Sequence, residues 1–536
     1  MVSSKLICGS SVVLLLACGS SGAAPSGRDD GFGFGGGSST ASGGSAVVIP
    51  NTMGGGGNNG VGGRPPEVEN ESAYLAPVVT GKYLWSANPL SGRVALIDAE
   101  TLSVKLQIAG NRPTTVLGIS EGEQYGALVL NDISNDATLL RVDDQGELRR
   151  VKSFATQPDA NAWSASPSAH WAIAWTDAAQ KTGIGPLDLF QDITLFSLDL
   201  NRETAFRLSV GSRPSRFVFD AAEEHAYAVT EEGISVIELG APPSVTGVIP
   251  VSNSSLAERS SADIGFAPDG SYAVVRSQNS SRIATLSLPG GVREELDLGG
   301  VVTDLDLVSD GSRAYAVLGG QAQVVEVPIP IAGREAASLR RVELTGEAIG
   351  AIALNTDASA ALVYSTVTGS TRVAVLDLVR PGSAFSYRVQ DLISPVTALF
   401  AAPDPRFAIS FQAAPTGSKR VGAFSLLSMQ AQRVPKIVGT DAAPLQVAFS
   451  PQGSSALVTV RTDSKSSFGA YLVALENQQV DFVPLQSPPL AAGVIPLAGR
   501  AYIAQAHPEG RITFVSLADS QLQTLTGFEL AARIVQ

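Results

Sequence analysis

From Tyr74 onward the chain repeats one short pattern, and a repeat of this length leaves few folds open. A short apolar stretch opens each unit, as in Tyr83-Leu84-Trp85-Ser86 or Tyr272-Ala273-Val274-Val275. Ten such openings occur, starting at Tyr83, Tyr125, Trp171, Ala226, Tyr272, Ala314, Ala361, Phe407, Ala456 and Ala501. They recur at roughly 40 to 55 residues, the period of a four-stranded propeller blade. Each opening is followed by a polar turn and a second apolar stretch, such as Val94-Ala95-Leu96-Ile97-Asp98 or Val373-Ala374-Val375-Leu376-Asp377-Leu378. Turns at Pro268-Asp269-Gly270, Ser309-Asp310-Gly311 and Pro451-Gln452-Gly453 stand just before openings, where glycine supplies the positive φ of a tight turn.

No long stretch has helical periodicity, so short apolar runs between turns read as strands throughout. The expected fold is all-β: a β-propeller of four-stranded antiparallel blades, about ten units, in one ring. Ten exceeds the common four to eight blades, which leaves two smaller rings as the alternative. One ring is favoured because Ala532-Arg533-Ile534-Val535 reads as an inner strand that completes the first blade and protects both sheet edges.

The cysteines are Cys8 and Cys18, both at the extreme N-terminus, so the repeats must be held by their core rather than by disulfides. Thiolate zinc sites are excluded from the repeats for the same reason. Met1 to Cys18 carries Lys5 and then the apolar run Val12 to Leu16, too short to span a bilayer and suited to a secretory signal. The segment Leu15-Leu16-Ala17-Cys18 resembles the lipobox of bacterial lipoproteins. The resemblance implies cleavage before Cys18 and acylation of its thiol, palmitate included. It also implies a place in the cell envelope, on the outer membrane if the host is Gram-negative, since Gly19 rather than aspartate follows. An ordinary secretory signal cut after Ala17 is the alternative. Residues 1–17 thus read as the lipoprotein signal peptide, 18–70 as the lipidated Cys18 and a Gly/Ser-rich linker, and 71–536 as the propeller. Glycine runs at Gly35–Gly37 and Gly54–Gly57 cannot bury enough apolar surface to offset their ordering entropy, so the linker is expected to be disordered. A coil of about 50 such residues reaches roughly 40 Å.

The first repeat is the most regular. Tyr83-Leu84-Trp85-Ser86-Ala87-Asn88, Gly92 to Asp98, Thr101 and Ile108-Ala109-Gly110-Asn111-Arg112-Pro113 resemble a YVTN-type propeller repeat, and Val210-Gly211-Ser212-Arg213-Pro214 repeats its last piece. The resemblance implies the fold and says little of function.

Chemistry is sparse. The formal net charge of −13, with no basic run, argues against nucleic acid as a partner. His170, His225 and His507 read as strand-end or turn residues, and no Gly-x-Ser-x-Gly elbow or phosphate-binding loop followed by lysine occurs. Asn131 to Asp136 is the nearest candidate calcium loop but lacks the glycine and distal glutamate of an EF-hand, so a polar turn is favoured. Asp304 and Asp306 alternate on one strand. They are candidates for paired channel carboxylates, against a solvated strand face. Trp85, Trp163, Trp171 and Trp175 are core residues or a stacking surface for sugar or peptide.

The expected function is therefore a membrane-anchored, non-catalytic binding or assembly scaffold. It is not an enzyme, has no cofactor or metal, touches the bilayer through Cys18, and holds a protein or glycan ligand on a propeller rim. The alternative is a lactonase-like propeller enzyme with its site at the central channel.

Overall fold

In the computed structural model the described residues are 74–528, apart from 123, 144, 253–262, 368, 380–384, 416, 431–432 and 463–466. The lipobox cysteine Cys18, the Gly/Ser-rich stretch and the tail strand expected over Ala532–Val535 lie outside them. The chain divides into two units, Met1–Glu69 and Asn70–Gln536, and everything below concerns the second.

The strands form ten separate four-stranded antiparallel sheets, each built from consecutive strands. The ten blades cover residues 78–108, 113–155, 162–209, 216–249, 263–297, 304–343, 351–391, 396–440, 444–483 and 489–526. The ten openings are the second strands. Tyr83–Asn88 in blade one and Trp171–Trp175 in blade three are examples. The repeat is thus phased one strand earlier than the openings suggest. The edge assigned to the C-terminal tail is held instead by Val78–Thr80, so blade one is complete by itself.

Second and third strands carry almost unbroken apolar runs because both faces of each sheet are covered by neighbours. In Tyr83–Asn88 all six residues are buried. Tyr83, Trp85 and Ala87 pack toward blade two with Ala127, Val129 and Leu140, whereas Leu84 points the other way, toward blade ten. The period-2 alternation of a strand thereby feeds two different seams. The buried residues fall into ten clusters, each spanning two consecutive blades. The tenth joins Tyr502, Ile512 and Phe514 of blade ten to Leu84, Ala95 and Ile97 of blade one. Ten blades in an open row would have nine seams; the tenth closes the ring. Tyr74 and Phe528 reinforce that closure with their rings 5.0 Å apart, edge to face, and Tyr502 Oη donates to Pro77 O (3.4 Å).

First strands are half-buried and line the inner wall, as in Asp304–Leu307. Fourth strands form the outer edge and are mostly exposed, as in Leu148–Ala155. The turn glycines do two jobs. Gly270 and Gly453 adopt φ of +74° and +67°. A Cβ on Gly270 would also lie 2.6 Å from Cα and Cβ of Asp220 in the preceding blade, and one on Gly453 would fall on the main chain of Asp404. Glycine there permits both the turn and the close approach of adjacent blades.

Candidate functional site

Each inner strand leaves one edge of unpaired N–H and C=O groups facing the next blade, and these groups need partners. Side chains supply them. Gln446 in blade nine accepts from Ala492 N (2.9 Å) and donates to Ala492 O (3.1 Å). Thr115 Oγ1 donates to Asn161 O (3.3 Å), Ser164 Oγ to Phe217 O (3.2 Å), and the Arg216 guanidinium to Ile264 O.

Asp304 and Asp306 do the same work. Asp304 Oδ2 accepts from Ile352 N (2.8 Å) and Asp306 Oδ2 from Leu354 N (3.1 Å). The alternation noticed in the sequence does bring both carboxylates to one side of an inner strand. They act there as a surrogate edge for the strand Ala351–Leu354 of blade seven. Among described side chains of the inner strands, charge is confined to Arg216, Asp263, Asp304 and Asp306, in blades four to six. Arg276 joins them from a second strand, pairing with Asp263 Oδ2 (3.0 Å) and donating to Val302 O (3.4 Å). Burial pushes the Asp306 carboxyl up to about 6; the Leu354 N–H opposes this, while Asp304 and Asp263 add to it. Burial also raises Asp304, against the N–H groups of Ile352 and Leu305 and the charge of Arg276. The sector can hold and exchange a proton near neutrality, but its carboxylates are engaged in the seam.

The face bearing the turns between first and second strands carries two clefts. One, of about 350 Å³, lies between blades one and two and is polar. Its cations are neutralised within the chain: Lys82 by Glu100 (2.7 Å) and Asp98 (3.1 Å), Lys105 by Glu147 (2.8 Å). The other, of about 390 Å³, lies between blades five and six, over Ala267, Tyr272, Val292, Ile329 and Pro330, with Asp269, Asp310 and Glu294 at its edge. Asp269 and Asp310 each accept from the hydroxyl and N–H of the serine two residues on (2.7 to 3.0 Å), which holds both carboxyls below their usual range. Tyr272 Oη donates to Gly311 O across the seam, and burial pushes this phenol up to about 12. Sequence reading missed this cleft, because its walls come from different repeats. The Pro-Asp-Gly and Ser-Asp-Gly turns that build it were legible only as turns.

The remaining candidates are structural. His225 Nδ1 lies 2.9 Å from Asp220 Oδ2, and Asp220 also accepts the N–H groups of Glu224 and His225, so the pair closes a turn. His507 Nδ1 accepts from Glu509 N (3.1 Å) in another turn; burial, then Arg511, lowers its pKa. His170 is an exposed turn residue. In the Asn131–Asp136 loop, Asp132 is gripped by Arg112 (2.6 Å) and Asp136 accepts from Ser134. Among the described residues, no three metal-capable side chains converge. The four tryptophans pack into the seams of blades one to four. Trp85 Nε1 donates to buried Thr80 (2.6 Å), and Trp175 lies 4.8 Å from Phe217.

This architecture is a ten-bladed β-propeller. No family model matches the sequence, and no curated protein matches it either. Solved structures of similar shape include dihydro-heme d1 dehydrogenase NirN in complex with DHE, at 13% identity and TM-score 0.41, covering 79% of this chain and 76% of that one. They also include hydrazine synthase of Kuenenia stuttgartiensis, at 12% identity and TM-score 0.33, covering 58% of this chain and 95% of that one. A functionally unknown protein from Desulfotomaculum acetoxidans aligns at 12% identity and TM-score 0.33, over 67% of this chain and 95% of its own. These likenesses show the fold alone. Two of them are nevertheless enzymes, which corrects the expectation that the chain is not one. Scarce histidine and the lack of a familiar catalytic motif do not exclude catalysis on such a ring.

Proposed function

We propose that the protein is a lipid-anchored ring of the cell envelope that holds a protein or glycan partner on its turn-bearing face. The observation that supports binding is that two open clefts interrupt this face of an otherwise closely packed ring. Rigid sheets presenting many turns are a good scaffold for recognition. The anchor rests on Leu15-Leu16-Ala17-Cys18 and the glycine-rich stretch after it. Two or three acyl chains contribute about 0.8 kcal/mol per buried CH₂, enough for durable attachment, on the outer membrane if the host is Gram-negative. The test is metabolic labelling with an alkyne analogue of palmitate. The wild-type chain takes label and sediments with membranes, and Cys18→Ala does neither. An unlabelled wild-type protein refutes the anchor.

A second reading places a lactonase-like site at the inner wall. The confinement of inner-strand charge to blades four to six favours it. Hydrolysis of a lactone panel that Asp263→Asn abolishes would support it; no turnover by the wild type would refute it.

A further inference from the structure

One position of the repeat decides whether a seam is closed on the turn-bearing face. It lies on the outer strand, opposite the third-strand residue two places before that strand's last pairing with the second strand. In blades one, two, seven and eight it is Lys105, Lys152, Arg388 and Lys436, paired with Leu96, Leu139, Val375 and Leu426. Each of these cations crosses to a main-chain carbonyl of the following blade: Gly146 O (2.7 Å), Glu203 O (2.8 Å), Ser428 O (3.0 Å) and Gln478 O (2.6 Å). In blade six Arg340 lies over the Phe385 ring of blade seven, 3.5 Å from its centroid.

Blade five has Glu294 there, paired with Thr285. An acid cannot donate to a carbonyl, and the space a lysine or arginine would fill is the 390 Å³ cleft. Glu294 is half-buried, and among the described residues it has neither an ion pair nor a side-chain hydrogen bond. Nearby cations are spent elsewhere: Arg293 on Glu295 (2.8 Å), Arg313 on Glu326 (3.4 Å). Asp269 and Asp310 add two carboxylates held ionised by serine donors. The acid at the same position in blade nine, Asp481, differs; it is exposed and accepts from Gln479 (3.4 Å).

We propose that the cleft between blades five and six receives a lysine or arginine side chain from a partner protein. That side chain takes the place which the ring's own cation occupies in four other seams. The apolar floor of Tyr272, Val292, Ile329 and Pro330 covers the aliphatic stem, and Glu294, Asp269 and Asp310 receive the charged end. This inference rests on the reading that the turn-bearing face binds partners and names the chemistry of one.

The probes are N-acetyl-Leu-Arg-Leu amide and its Gln counterpart, titrated calorimetrically at millimolar concentration into the full chain. The arginine peptide binds and the glutamine peptide is at least about tenfold weaker. Glu294→Gln weakens the arginine peptide about tenfold and leaves the other unchanged. Glu294→Lys supplies the missing cation from within, so it abolishes binding and raises the thermal midpoint. No binding by the wild type, equal affinity for both peptides, or undiminished binding by Glu294→Lys overturns the site. Those results leave membrane attachment and other contact surfaces untouched, whereas failure of lipid labelling leaves this site untouched.

Discussion

Replacing Asp306 with asparagine removes a charge that the folded ring holds at a cost. Its carboxyl is pushed from 3.8 to about 6, mainly by burial. The folded state therefore binds the proton more tightly than the unfolded chain does. Stability from this group is fully present below the unfolded pKa and is lost as pH rises through the folded one. A rise from 3.8 to about 6 is a factor of roughly 10² in the proton equilibrium, or up to about 3 kcal/mol at neutral pH. Asparagine keeps an acceptor for Leu354 N but gives up the extra strength of a charged bond, about 1 kcal/mol. The net expectation is a gain of about 1 to 2 kcal/mol at pH 7.5 for Asp306→Asn, shrinking to nothing or reversing near pH 4. Asp304, Asp263, Arg276 and Arg216 stay in place, so the difference between wild type and variant isolates one carboxyl. Chemical denaturation across pH 4 to 8 measures it. A difference that does not change with pH, or a variant less stable at pH 7.5 than at pH 4 relative to wild type, would refute the assignment of Asp306 as a buried, proton-hungry seam residue.

Two further substitutions test how the ring is closed and packed. Gly270→Ala puts a Cβ against Asp220 at a φ of +74°, and the expected loss of about 1 to 3 kcal/mol should appear as a lower denaturation midpoint. A loss within error would mean that the seam between blades four and five is slack. Phe528→Ala removes a side chain only 2% exposed from the closing cluster. It should cost about 3 to 5 kcal/mol and raise amide exchange first in blades one and ten. Exchange rising evenly around the ring would argue against closure at that seam.

The fold was legible because its signal is local. A strand buried on both faces must be apolar at nearly every position, and ten such strands at near-constant spacing need no tertiary knowledge to count. The phase of the repeat was less legible. Inner strands such as Asp304–Leu307 and Val78–Thr80 are short and half-buried, so they carry a weaker apolar signature than Tyr83–Asn88. That is why the first blade seemed to need help from the C-terminus. Asp304 and Asp306 were correctly singled out, yet their task was invisible: the N–H groups they satisfy lie 48 residues away, in the next blade. The tryptophans were readable as core or as surface, and only their neighbours across the seams decided for core.

The amino-acid sequence by itself determined the class of fold, the number of blades, the glycine turns and the lipobox-like Cys18, because each is written in consecutive residues. Only the tertiary structure decided that the ring closes through Tyr74, Phe528 and the tenth seam, and that Glu294 faces a cleft where other blades place a lysine or arginine. Seam chemistry joins residues tens of positions apart, and whether a side chain meets a partner there depends on the stacking of whole sheets rather than on anything within one strand.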